Sequence, residues 1–239
     1  EVGSTAYDTR NHTLGLAFKS GNHLIEARAG FQDMPYQLYP NQRMDLTDNT
    51  QHRLNLRYQG RYDFGQIDAR IYRENVDHVM DFGDDKRFWY GSLSGTGSPC
   101  APIRFSGNPA GTCAAGMPMN TASKTTGGSL KADIALSPSD LLRVGGEYQR
   151  YRLNDWWPAS GGGMGPGIFW NIRDGQRDRS GLFAEWEKQY DTRWMSLIGA
   201  RYERVKSNAD NDRGYNTMAG AMGGQLTEST AFNAKKKKK

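Results

Sequence analysis

A chain of 239 residues is long enough to bury a sizeable core, yet with 36% hydrophobic residues, 29 glycines and a mean hydropathy of -0.79 an ordinary globular interior would be lean. The formal charge of +5 disappears once the five lysines at 235–239 are set aside, leaving 26 Lys/Arg interspersed with 26 Asp/Glu, which argues against a nucleic-acid partner. No run approaches the roughly 20 apolar residues of a membrane helix, so helical spans are excluded and a membrane barrel stays open.

Leu14, Leu16 and Phe18 alternate with Gly15 and Ala17, and after Ser20, Gly21 and Asn22 a second run sets Ile25, Ala27, Ala29 and Phe31 against Glu26, Arg28 and Gly30. A strand's side chains change faces at every residue, so this is a first hairpin. From 32 to 51 the pattern stops among prolines and polar residues, which predicts a long ordered loop. Leu54, Leu56, Tyr58, Gly60 and Tyr62 then alternate with Arg53, Asn55, Arg57, Gln59 and Arg61, a period that no soluble helix has. A turn at Asp63, Phe64 and Gly65 leads into Ile67, Ala69 and Ile71, with the strand extending towards His78. The longest loop is predicted over 81–127. In the clearest hairpin, 128–153, Leu130, Ala132, Ile134 and Leu136 precede the turn residues Pro138, Ser139 and Asp140, and Leu142, Val144, Gly146 and Tyr148 follow them. Another loop, 154–178, holds Trp156, Trp157, the run GGGMGPG and Trp170. Strands resume over 180–190, turn at Asp191 and Thr192, and continue through Trp194, Ser196, Ile198, Ala200 and Tyr202. The count is about eight strands, with connections alternating short and long.

Alternation alone fits a soluble sandwich or barrel as well as a membrane barrel. Three features favour lipid on the apolar side. Short connections fall on one edge and long ones on the other. Aromatics such as Tyr58, Tyr62, Phe64, Tyr148, Tyr151, Trp186, Tyr190, Trp194 and Tyr202 cluster near strand ends, where interfacial girdles sit. The opposite face is charged on almost every strand, as a wet lumen tolerates. The expected fold is therefore all-β: an antiparallel transmembrane β-barrel segment of about eight strands with short turns on one edge and long loops on the other. A soluble β-sheet binding module explains the alternation but not the loop asymmetry.

The runs YPNQRMDL, RLNLRYQGRYDFGQIDARIY, MDFGDDKRFWYGS, LRVGGEYQRYRLNDWWP and FWNIRDGQRDRSGLFAEWE resemble the barrel portion of TonB-dependent outer-membrane receptors, over nearly the whole chain. The resemblance implies that residues 1–233 are part of a 22-stranded, plugged barrel in a bacterial outer membrane, in contact with its lipid. It also implies a TonB-type energising protein acting through an N-terminal region not visible here, and import of a metal or metal chelate such as copper or an iron-siderophore. A passive porin-like channel shares the strand code. Residues 234–239 read as an artefact or an interrupted end.

Of nine methionines, Met195 alone is placed in the body of a strand. His78 and Met80 share a face if their strand extends that far, and with Met44, Met117, Met119 and Met164 they form a candidate soft-metal set suited to Cu(I). The other reading is that these thioethers fill gaps between packed loops. Trp156, Trp157, Trp170, Trp89 and Tyr90, joined by Tyr36, Tyr39 and Phe88, form a candidate aromatic platform for a chelate ligand. Arg173, Arg177 and Arg179 would draw an anionic one. Cys100 and Cys113 are expected to close a loop disulfide, contributing about 3 kcal/mol in the chain-entropy model, the alternative being two unpaired thiols. GGGMGPG lacks the ending of a phosphate loop, and no Ser/His/Asp set or carboxylate pair stands out, so no enzymatic activity and no catalytic cofactor are expected.

Overall fold

The computed structural model describes residues 5–40, 44–81, 88–90, 98–100, 118–158 and 168–210. Ten strands lie among them: β1 (Tyr7–Ser20), β2 (His23–Gln37), β3 (Asp45–Tyr62), β4 (Gly65–Asp81), β5 (Phe88–Tyr90), β6 (Ser98–Cys100), β7 (Met119–Ser137), β8 (Asp140–Trp157), β9 (Phe169–Gln189) and β10 (Met195–Asn208). Eight form one antiparallel sheet in the order β1-β2-β3-β4-β7-β8-β9-β10, so that chain neighbours are sheet neighbours; β5 and β6 pair separately between β4 and β7. This is the expected all-β, eight-stranded segment, with β1 and β10 as its edges.

The strands run further than alternation alone suggested. The expected loop 32–51 contracts because β2 continues to Gln37 and β3 begins at Asp45. That over 81–127 loses Met119 onwards to β7, and that over 154–178 is bounded by Trp157 and Phe169. The physical reason is that ladder hydrogen bonds join backbones whatever the side chains are. Apolar and polar residues need alternate only where the two faces meet different surroundings. Each long strand has 14 to 21 residues, against roughly 9–11 for crossing a bilayer, so a substantial part lies beyond the alternating zone on the long-connection edge. Met34 and Met119 are strand residues rather than loop residues for the same reason, and β4 extends far enough to include Met80. Trp194, in contrast, belongs to the turn before β10: its carbonyl accepts the Tyr190 N–H at 2.9 Å, and the Asp191 carboxylate accepts the N–H groups of Arg193 and Trp194 at 2.7 and 2.8 Å.

The apolar side chains form an outward belt, not a core. Leu16, Leu130, Leu182 and Ile198 are 56–67% exposed, whereas Leu46, at 4%, is the buried hydrophobic among the described residues. Its apolar pairs are Leu14–Ala29, Leu16–Ala27 and Phe18–Ile25 on the first hairpin; Leu56–Ile71, Tyr58–Ala69 and Gly60–Ile67 on the second; Leu130–Gly146, Ala132–Val144 and Ile134–Leu142 on the third; and Leu182–Tyr202, Ala184–Ala200 and Trp186–Ile198 on the fourth. The belt does not follow one ladder row. From Ala200, in the middle of the β10 set, the row passes through Ala184, Val144, Ala132, Ile67, Gly60 and His23 to Ser20, four residues past Leu16, the middle of the β1 set. A level belt on tilted strands must cut across the register in this way, because the hydrogen-bonded rows slope with the tilt.

Aromatic rings border the belt. At the short-turn edge Tyr62 stacks on Phe64 at 5.2 Å and His23 lies against Tyr58 and Tyr62, with the Tyr58 hydroxyl 2.8 Å from His23 Nδ1. At the other edge His12, Phe31 and His52 line up across β1, β2 and β3, with centroid spacings of 6.3 and 5.0 Å.

The turn between β3 and β4 depends on Gly65. Its φ is +140°, and a Cβ built there falls on the carbonyl oxygen of Asp133, on the neighbouring strand β7. Gly65→Ala is expected to cost about 1–3 kcal/mol, by backbone strain and a clash that no side chain can relieve. Equilibrium unfolding of the refolded full-length receptor in denaturant measures it.

Candidate functional site

The face opposite the belt carries a network of charges. Arg57 meets Asp68 at 2.6 Å and Glu26 at 3.5 Å. Arg143 bridges Glu185 and Glu187 at 2.7 and 2.6 Å, and Glu147 accepts from Arg179 at 2.5 Å and also from Arg201. Opposed strands bring these partners face to face from positions far apart in sequence. A groove of about 540 Å³ runs over β2, β3, β4 and β7 between Glu26, Arg28, Asn55, Arg57, Asp68 and Lys131.

Beyond the belt, towards the long connections, the same face changes character. The row Asn49–His78–Thr121–Asp155 crosses β3, β4, β7 and β8, and in the next row Met80 of β4 pairs directly with Met119 of β7. His78 and Met80 share a face, and opposed residues have Cβ atoms about 4.5–5.5 Å apart. Three of the soft donors read from the sequence are thereby brought to one place. Met44 lies one residue before β3, while Met117 and Met164 fall outside the described residues.

His78 is half-buried and held by a neighbouring side chain. Its Nδ1 lies 3.0 Å from Asn49 Oδ1, a contact that suits the tautomer with its proton on Nδ1, in which Nε2 keeps its lone pair. Burial pushes the imidazole below its ordinary value, opposed by the charges of Asp155 and Asp48, so the neutral ring persists to lower pH. Among the described residues no group of three His, Cys, Asp or Glu side chains is arranged to hold a metal ion, so the donors gathered here are thioethers and one imidazole. Asn49 and Asp155 were not singled out from the sequence; the pairing of β3, β4, β7 and β8 identifies them.

The aromatic residues converge in part. Trp156 and Trp170 face each other across β8 and β9 at 5.7 Å, Trp157 stacks on Phe169 at 4.8 Å, and the Arg173 guanidinium lies 5.8 Å from the Trp170 ring. All four tryptophan and arginine positions are strand residues, contrary to the expected loop. A bulge at Asp155 and the positive φ of Asp174 (48°), whose N–H donates to Asn154 Oδ1 at 2.8 Å, shape this end of the pair. Arg179 belongs to the charge network instead, bound to Glu147 and Glu203. Trp89 and Tyr90 lie on β5 and Cys100 on β6, where Phe88 pairs with Cys100; Cys113 is outside the described residues, and with it the disulfide.

A search of curated proteins finds no match. Among solved structures the chain is similar to the copper transporter OprC, at 17% identity and a TM-score of 0.67, over 92% of this chain and 31% of that one. The chain thus spans about a third of that transporter's length, and likeness at this identity is likeness of fold. The family model described as TonB dependent receptor-like, beta-barrel, matches residues 2–234. Matched over nearly its whole length, and built as an antiparallel sheet with an outward apolar belt and a charged inner face, the chain belongs to the TonB-dependent receptor β-barrel family.

Proposed function

We propose that this chain forms part of the barrel wall of a TonB-energised transporter in a bacterial outer membrane, and that the transporter imports a soft metal ion, copper foremost. The belt faces lipid, the charged face lines the lumen, and the strand ends beyond the belt project outside the cell. The carrying observation is the Met80–Met119 pair beside His78, on the face opposite the belt and beyond it towards the long connections. Two thioethers and a neutral imidazole suit Cu(I) better than a hard cation, which prefers oxygen. The resemblance in fold to a copper transporter agrees with this choice. Membership of the receptor family favours energised import over a passive porin-like channel or a soluble module.

A second reading has its own observation. Trp157 stacked on Phe169, with Trp156, Trp170 and Arg173 beside them, offers ring faces and a cation, which would suit an anionic metal chelate such as an iron-siderophore. Deleting the full-length receptor and measuring cellular copper against growth on iron chelates separates the two. Loss of copper accumulation that also disappears when the TonB-type partner is removed is expected. Unchanged copper with lost use of one chelate would replace copper by the chelate, and no change in either would overturn both.

A further inference from the structure

We propose that the outward face just beyond the belt on β4, β7, β8 and β10 binds the phosphate groups of an anionic membrane lipid, an inference that rests on the belt being lipid-facing. Arg73, Lys124, Arg150, Arg152, Arg204 and Lys206 all have the parity of the belt residues: Arg73 follows Ile71 by two, Arg150 and Arg152 follow Tyr148, and Arg204 and Lys206 follow Tyr202. Register draws them together, since Arg73 pairs with Thr126, Thr126 with Arg150, Arg150 with Asp178, and Asp178 with Lys206; in the next row Lys124 pairs with Arg152. With strands about 4.8 Å apart, the patch is about 19 Å wide from β4 to β10.

Six cations here share one carboxylate. Arg152 holds Asp178 at 2.7 Å, and the other five form no ion pair among the described residues. These five are also exposed. The remaining strands differ beyond their own belt residues: past the ring row His12, Phe31 and His52, the outward Arg10 of β1 is matched by Asp8 at 2.8 Å and Asp33 at 3.4 Å. The short-turn edge differs too, because its outward Lys188 is matched by Asp140 at 3.1 Å. The unmatched charge is thus confined to one edge of the belt and to one side of the sheet.

That placement selects the partner. A lipid whose chains lie along Leu130, Val144 and Leu182 puts its headgroup at the height of these cations, and guanidinium forks bind phosphate through paired N–H groups. A patch with more than one such cation side by side suits a headgroup with more than one phosphate.

The test uses the full-length receptor purified in detergent and native mass spectrometry after incubation with a bisphosphorylated glycolipid, its dephosphorylated form, or inorganic phosphate. The intact receptor is expected to retain the bisphosphorylated lipid in preference to the dephosphorylated one. Lys124→Gln/Arg150→Gln/Lys206→Gln, at three exposed positions that form no ion pair among the described residues, is expected to lower that retention at least about tenfold, whereas Lys124→Arg/Lys206→Arg keeps it. Equal retention of the dephosphorylated lipid, an unaffected triple variant, or full displacement by inorganic phosphate at equal concentration would overturn the site. A receptor that stays dispersed without detergent would overturn the lipid-facing belt as well; one that needs detergent but ignores phosphate would overturn this proposal alone.

Discussion

Leu130→Arg, introduced into the full-length receptor and refolded into lipid vesicles, is expected to lower the unfolding free energy by about 2–4 kcal/mol. Leu130 stands in the third hairpin's apolar set, opposite Ala69 on one side and Gly146 on the other, and is 56% exposed on the outward face. An arginine there would lie in hydrocarbon with no carboxylate among its ladder neighbours. Two controls fix the meaning. Lys131, the adjacent residue, points to the other face, where it meets Asp133 at 3.0 Å and borders the charged groove, so Lys131→Ala should cost no more than about 1 kcal/mol. Thr126 shares Leu130's face but lies two outward positions past it, beyond Gly128 and between Arg73 and Arg150, so Thr126→Arg should cost about 0–1 kcal/mol. The three together test depth as well as facing. Equal costs at Leu130 and Lys131 would mean the faces are reversed; equal costs at Leu130 and Thr126 would mean that the belt does not mark a hydrocarbon layer.

The same contrast explains what was legible in the sequence. Where one face meets an apolar medium and the other a wet one, every second residue is constrained, and the hairpins around Leu16, Leu56, Leu130 and Leu182 were visible residue by residue. Past Arg73 or Arg150 the apolar residues no longer keep to one face, since Val76 and Val79 of β4 lie on opposite faces, as do Trp156 and Trp157 of β8, so a period of two fades there and backbone pairing continues the sheet. The slope of the belt against the register was invisible for another reason, since it appears only once strands are set side by side. The candidate site was legible as a set of residue types. His78 and Met80 were read as sharing a face, but their meeting with Met119 spans the whole connection from β4 to β7, and no local pattern fixes the register across it. Asn49 and Asp155 carry no signal of their own as single polar residues.

Removing any one of His78, Met80 and Met119 is expected to weaken Cu(I) binding to the full-length receptor by more than the roughly 10–100-fold that loss of an outer-shell partner costs, as read by titration calorimetry under reducing conditions. The three substitutions should not act independently. A site with two thioethers and one imidazole loses its saturable heat when any donor goes, so Met80→Ala/Met119→Ala should be little worse than Met80→Ala alone. Asn49→Ala should act more weakly, within the 10–100-fold range, because Asn49 only fixes which ring nitrogen carries the proton. The protonation of His78 gives an independent readout. Because burial lowers its proton affinity, the ring in the apo receptor should titrate below about 6.5, followed by its carbon-bound protons in NMR. The unfolded chain then binds the proton more readily than the folded one, so the neutral ring's contribution to stability is present above that range and declines as pH falls through it. A ring that titrates at or above 6.5 would contradict the burial that prepares it. Full Cu(I) binding by Met80→Ala/Met119→Ala would remove the thioether pair from the site, and the tryptophan and arginine cluster of β8 and β9 would then be the remaining place for a ligand at this mouth of the barrel.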